Sequence, residues 1–110
     1  MNTEQQKLLE FHKGREQLIN VGARKQQLQV QAAMIQSALD ELKDSKQGKV
    51  YKIVGNIMIE KDAKQVEKEL KELKEQLDAR IETLQKQEDS LINRLNKLRS
   101  QLEGQEKKKD

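Results

Sequence analysis

Cysteine, proline and tryptophan are all absent from the 110 residues. Without cysteine there is no disulfide framework and no thiolate metal site. Without proline nothing forbids long uninterrupted helices. A single phenylalanine and a single tyrosine hold the aromatic share to 2%, against 37% charged residues, which is poor material for a compact globular core. No apolar run is long enough to span a bilayer, and the first residues do not resemble a signal peptide. A cytoplasmic protein with no membrane partner is therefore expected. The one histidine, His12, has no second histidine or cysteine to join it, and a lone imidazole carries no catalytic geometry. The acidic residues are interleaved with lysines, which argues against a metal cluster. We therefore expect no enzyme activity, no cofactor and no metal. The formal net charge of +3 is dispersed, apart from the terminal run Lys107, Lys108 and Lys109. A nucleic-acid binder usually presents a one-signed stripe, so no nucleic-acid partner is expected, and the terminal lysines read as a solvated tail.

What is present points to helices. Ala, Glu, Lys, Leu and Arg make up half of the chain, a coiled-coil composition when helical periodicity accompanies it. The first segment, residues 3–43, carries two seam classes in alternating steps of three and four: Phe11, Leu18, Lys25, Ala32, Leu39 and Gly14, Val21, Leu28, Ile35, Leu42. This heptad pattern is weakened at Gly14 and Lys25. Gly14 and Gly22 each cost about 1 kcal/mol of helix propensity relative to Ala, which predicts a looser N-terminal half. The second helix is expected over residues 62–103, with Asp62 as its N-cap. Its seam reads Val66, Leu70, Leu73, Leu77, Ile81, Leu84, Glu88, Leu91, Leu95, Leu98, Leu102. The two consecutive steps of four from Leu73 to Ile81 predict one stutter. Gly104 ends the pattern, and residues 104–110 are expected to be a disordered tail.

Folded back on each other, the two seams match. Leu42 meets Val66, Leu39 meets Leu70, Ile35 meets Leu73, Ala32 meets Leu77, Leu18 meets Leu91 and Phe11 meets Leu98. Two helices of nearly equal length thus close into one antiparallel coiled coil, with Lys25 and Glu88 in neighbouring layers and placed to pair across it.

Between the helices, residues 50–60 form the only β-rich stretch. Val50, Tyr51, Ile53, Val54, Ile57, Met58 and Ile59 favour a pleated surface, and the pair Gly55-Asn56 supplies a two-residue turn. That turn pairs Val54 with Ile57, Ile53 with Met58 and Lys52 with Ile59. One face carries Val54, Ile57 and Ile59, the other Tyr51, Ile53 and Met58, so both faces want cover. A lone two-stranded hairpin is marginal in water, and this one is expected to add to strands of other chains. The glycine–asparagine pair reads as a turn, not a phosphate loop.

Two stretches resemble the β-class subunits of prefoldin: V-Y-K-I-V-G-N-I-M-I at Val50–Ile59, followed by Glu60-Lys61-Asp62, and R-I-E-T-L-Q-K-Q-E-D-S-L at Arg80–Leu91. The helix–hairpin–helix layout matches over nearly the whole chain, and a single hairpin suits the β class. The resemblance implies a mainly α fold, a long antiparallel two-helix coiled coil whose central hairpin assembles into an oligomeric β-barrel. It implies a hexamer with two α-class and four β-class prefoldin subunits, which holds unfolded client proteins at the coil tips without ATP and delivers them to a group II chaperonin. Tyr51 and Met58 then pack inside the barrel, with a client-binding patch as the alternative. Leu8 and Leu9 are adjacent and cannot both enter one narrow seam. With Phe11, and beside Leu98 and Leu102, they are the expected client-binding surface; a frayed helix end is the plainer alternative. The competing functional reading is a structural adaptor or tether that uses its hairpin only to oligomerise.

Overall fold

The computed structural model describes residues 3–44 and 48–108, with side chains described through Gly104. Helix α1 (Thr3–Asp44) is followed by strand β1 (Lys49–Val54), strand β2 (Ile57–Asp62) and helix α2 (Ala63–Lys108). The expected architecture is therefore present: two long helices joined by an antiparallel hairpin. The chain divides into two compact units. An end unit combines α1 through Gln27 with α2 from Glu82, and a hairpin unit comprises Leu28–Ile81.

In the end unit the predicted seam is the covered face. Gly14, Leu84, Leu95 and Leu98 are buried, and Phe11, Leu18, Val21, Lys25, Glu88, Leu91 and Leu102 are half-buried. Gly14 is a packing residue. A Cβ built on it would stand 2.7 Å from Leu95 Cδ2, so the missing methyl is the space the leucine fills. Gly104, also helical, has nothing within 4 Å of its own built Cβ. The two sites give opposite expectations. Gly104→Ala should add helicity, worth up to about 1 kcal/mol, whereas at Gly14→Ala the same gain is offset by displacing a packed leucine, an overpacking cost of about 1–3 kcal/mol. Far-UV circular dichroism and urea unfolding of the two variants check this.

Lys25 and Glu88 pair as the register predicted. Lys25 Nζ lies 2.6 Å from Glu88 Oε1 and donates a second hydrogen bond to Gln85 Oε1 at 2.8 Å. The side chains are only 18% and 16% exposed. Gly22 leaves room for this group, since a Cβ there would approach Glu88 Oε2 to 3.2 Å. Lys25→Ala should destabilise by about 1–3 kcal/mol, because it strands a half-buried carboxylate. Exchanging the charges (Lys25→Glu with Glu88→Lys) should recover most of that loss. A double-mutant cycle by urea unfolding measures both, and additive losses would mean that the pair is not coupled.

In the hairpin unit Ala32, Leu39 and Leu77 are buried, and Leu28, Ile35, Leu42, Leu70 and Ile81 are half-buried. The predicted stutter from Leu73 through Leu77 to Ile81 is not there; with Val66 half-buried, the two consecutive steps of four run instead from Val66 through Leu70 to Lys74. Leu73 is 45% exposed, and Lys74 is half-buried in its stead. The covered positions Leu70, Lys74, Leu77 and Ile81 keep the alternation of four and three unbroken. Lysine tolerates such a position because its aliphatic stem covers apolar surface while its charge stays outside, and Lys74 Nζ lies 3.7 Å from Asp78. Turning Leu73 inward would rotate the rest of the stripe outward. The layer assigned to Ile35 and Leu73 is thus corrected.

The hairpin has the expected register, Val54 opposite Ile57, Ile53 opposite Met58 and Lys52 opposite Ile59, extended to Lys49 opposite Asp62. Gly55 has φ 62°, and no other described residue has positive φ, the pattern of a type II′ turn with glycine first. Asp62 caps α2: its carboxylate accepts from Lys64 N–H at 3.4 Å, and the Ala63 N–H donates to Gly48 O at 3.0 Å. The i,i+4 pairs Glu67–Lys71 and Glu82–Lys86 close at 3.0 and 3.7 Å.

Both helices run past their expected ends. Helix α1 ends at Asp44, one residue late. Helix α2 continues through Gly104 to Lys108 instead of stopping at Glu103, which corrects the expected disorder over 104–108. Glycine takes a helical conformation at the cost of propensity alone, and the glutamine, glutamate and lysines after it are good helix formers. Residues 1–2, 45–47 and 109–110 lie outside the described residues.

Candidate functional site

Two surfaces answer to the candidate residues. The first is the hairpin. Tyr51, Ile53, Val54, Ile57, Met58 and Ile59 are all large, apolar and exposed, while Val50 is half-buried. Strand alternation places them on both faces, which is why no single element of the chain covers them. Fully burying one such side chain is worth about 1.5–3 kcal/mol, so a partner covering both faces gains several times that. Charged residues frame the apolar centre: Lys49 and Glu60 lie 3.6 Å apart, and Lys61 reaches Glu69 at 3.8 Å. Among the described residues the sheet contains only β1 and β2, so each strand presents one unpaired edge there.

The second surface lies in the end unit. Leu8 and Leu9 are 48% and 57% exposed, outside the seam. The other three candidates differ. Phe11 is half-buried in the seam with its ring edge-on to His12 at 6.3 Å. Leu98 is 7% exposed and Leu102 half-buried, so these residues support the coil. The covered heptad positions absorb them, and the adjacent leucines stay outside because one narrow seam accepts about one residue per turn. The pair Glu10–Arg94, at 3.9 Å, is exposed and contributes at most about 1 kcal/mol. Exposed apolar residues that the seam reading did not single out are Ile19, Val30, Met34 and Ile92. Their signal in the sequence is an apolar residue at a non-seam position.

Among the described residues no group of three or more His, Cys, Asp or Glu is placed to hold a metal, and no helix is long and apolar enough to cross a membrane.

Comparison with known proteins fits this geometry. The family model for prefoldin subunits matches residues 5–109. The chain is 38% identical over 93 residues to the prefoldin subunit beta of Pyrobaculum islandicum, a match covering 84% of this chain and 74% of that protein. It is 34% identical over 99 residues to the prefoldin subunit beta of Saccharolobus islandicus, covering 89% and 79%. The crystal structure of the prefoldin beta subunit from Thermococcus strain KS-1 superposes with a TM-score of 0.87 at 30% identity, over 94% of this chain and 92% of that one. Helix, bare hairpin and helix, in this order and at this length, thus place the chain in the prefoldin family as a β-class subunit.

Proposed function

We propose that the chain is one of four β-class subunits that join two α-class subunits in a hexameric, ATP-independent chaperone of the cytoplasm, which captures unfolded proteins and delivers them to a group II chaperonin. Membership of the family makes it a prefoldin chaperone subunit and supports assembly with other prefoldin subunits. The observation that carries the rest is the hairpin, apolar and exposed on both faces, a surface that other chains can cover. A β-barrel platform built from several such hairpins satisfies both faces and both open edges at once. Capture is assigned to Leu8 and Leu9, because unfolded proteins share exposed apolar area and little else. Phe11, Leu98 and Leu102 act there as the packed support, and they join the binding surface when the helix ends part around a client.

Co-expression with an α-class subunit followed by native mass measurement tests the assembly, with two α and four β chains as the expected mass. Addition of the purified complex to several chemically unrelated denatured proteins tests the activity. Protection of all of them is expected. Binding of one partner and neglect of the rest identifies an adaptor.

A further inference from the structure

The seam of the paired helices changes character at one layer. Outward of it, toward the free helix ends, α1 offers Phe11, Gly14, Leu18 and Val21 to a row of leucines on α2. Gly14 brings no side chain to that seam, and Gly14 and Gly22 both disfavour helix there. At Lys25 and Glu88 the seam is charged and half-buried. Lys25 Nζ donates to Glu88 Oε1 and to Gln85 Oε1, and Gln85 Nε2 in turn donates to Asp89 Oδ1 at 3.1 Å. In the hairpin unit α1 is apolar at every seam position, namely Leu28, Ala32, Ile35, Leu39 and Leu42. Lys74 of α2 turns there to Asp78 of its own helix.

These layers respond differently when the helices separate. Parting an apolar layer returns apolar area to water, and the cost grows with that area. Parting the charged layer breaks two hydrogen bonds but returns Lys25 and Glu88 to full hydration. For a buried pair that regained hydration rivals the lost attraction. Gln85 keeps its bond to Asp89, so no polar group is left stranded. Opening from the ends therefore costs more with each leucine passed and levels off at Lys25 and Glu88. The cost rises again at Leu84, which is buried, and at Leu28. A profile of that shape contains a discrete stop.

We infer that the layer of Lys25 and Glu88 is an opening limit built into the coil: the two helix ends part as one unit as far as this layer and no farther, and the parted ends take an extended apolar segment of a client. The depth from Leu8 to Lys25 is roughly 25 Å of helix, which is the length of about seven or eight extended residues. The use by clients rests on the reading that the helix ends part around a client, whereas the limit itself does not.

Hydrogen exchange of the full chain without client, resolved by mass spectrometry of its peptides, reads the limit. Backbone amides of residues 11–21 and 91–102 are expected to share one protection, at least tenfold below that of residues 28–42 and 70–84, with the step at Lys25 and Glu88. Lys25→Leu with Glu88→Leu is expected to slow exchange at 11–21 and 91–102 at least tenfold and to erase the step, because an apolar pair in place of a buried charged one holds the layer closed. Protection that declines evenly toward the helix ends overturns the limit, as does a step that the leucine pair leaves in place. The parent profile decides by itself if the leucine variant does not fold. The use by clients is read separately. The same variant, assembled with an α-class subunit, is expected to protect a denatured protein from aggregation at least threefold less well. Slowed exchange with undiminished protection by an intact complex leaves the limit standing and overturns the reading that the ends part around a client.

Discussion

Ile53→Asp, or Ile57→Asp on the opposite face, is expected to abolish assembly while leaving both helices folded. In the single chain these side chains are exposed, so the carboxylate stays in water and costs folding little. The penalty arises on assembly, when the face is covered. Burying an unpaired charge costs several kcal/mol, and each 1.4 kcal/mol is about tenfold in association, so a loss of a thousandfold or more is expected. Size-exclusion elution with native mass measurement reads the assembly, and far-UV circular dichroism reads the helices. A variant complex that elutes and melts like the parent would remove the hairpin from the interface.

Leu8→Ser with Leu9→Ser is expected to leave the complex assembled and to weaken capture of unfolded protein by at least about tenfold. Each leucine that a client covers fully contributes about 1.5–3 kcal/mol. These two are already half exposed outside the seam, so their removal does not open the coil. Phe11→Ser, added as a third change, should lower the melting temperature as well, because that ring is half-buried within the seam. On the proposed platform several chains would act through effective concentration, and the expected loss per complex then exceeds the loss per site. The readout is the protection of two unrelated denatured proteins from aggregation, with native mass as the control. Undiminished protection by an intact complex would move capture to another surface.

Much of this molecule is legible in its residues, for local reasons. The hairpin register follows from Gly55-Asn56 between β-branched arms, since turn length alone fixes which residues oppose one another. The pairing of Lys25 with Glu88 follows from matching two heptad seams. The failures have one cause: ranking residues by type before position. Leu73 reads as seam because it is leucine and Lys74 reads as surface because it is lysine, yet the alternation of four and three from Leu70 onward buries the lysine's stem. Gly104 reads as a stop, yet nothing around it forces the chain to turn. Leu98 reads as seam and as client-binding surface at once, because it is a leucine near the helix end, and it lies in the covered stripe. The role of Gly14 was not legible at all, because it depends on where the Leu95 side chain comes to rest.

The hairpin's open edges bear on how much of this chain a cell can safely hold. Two six-residue strands with exposed apolar faces and unpaired backbone groups are a template for pairing with any extended segment. The lysines at positions 49, 52 and 61 discourage such pairing without preventing it. A copy made in excess of its partners therefore exposes a surface prone to aggregation. Synthesis matched to the partner subunits, with rapid degradation of the surplus, is the condition under which this fold remains harmless.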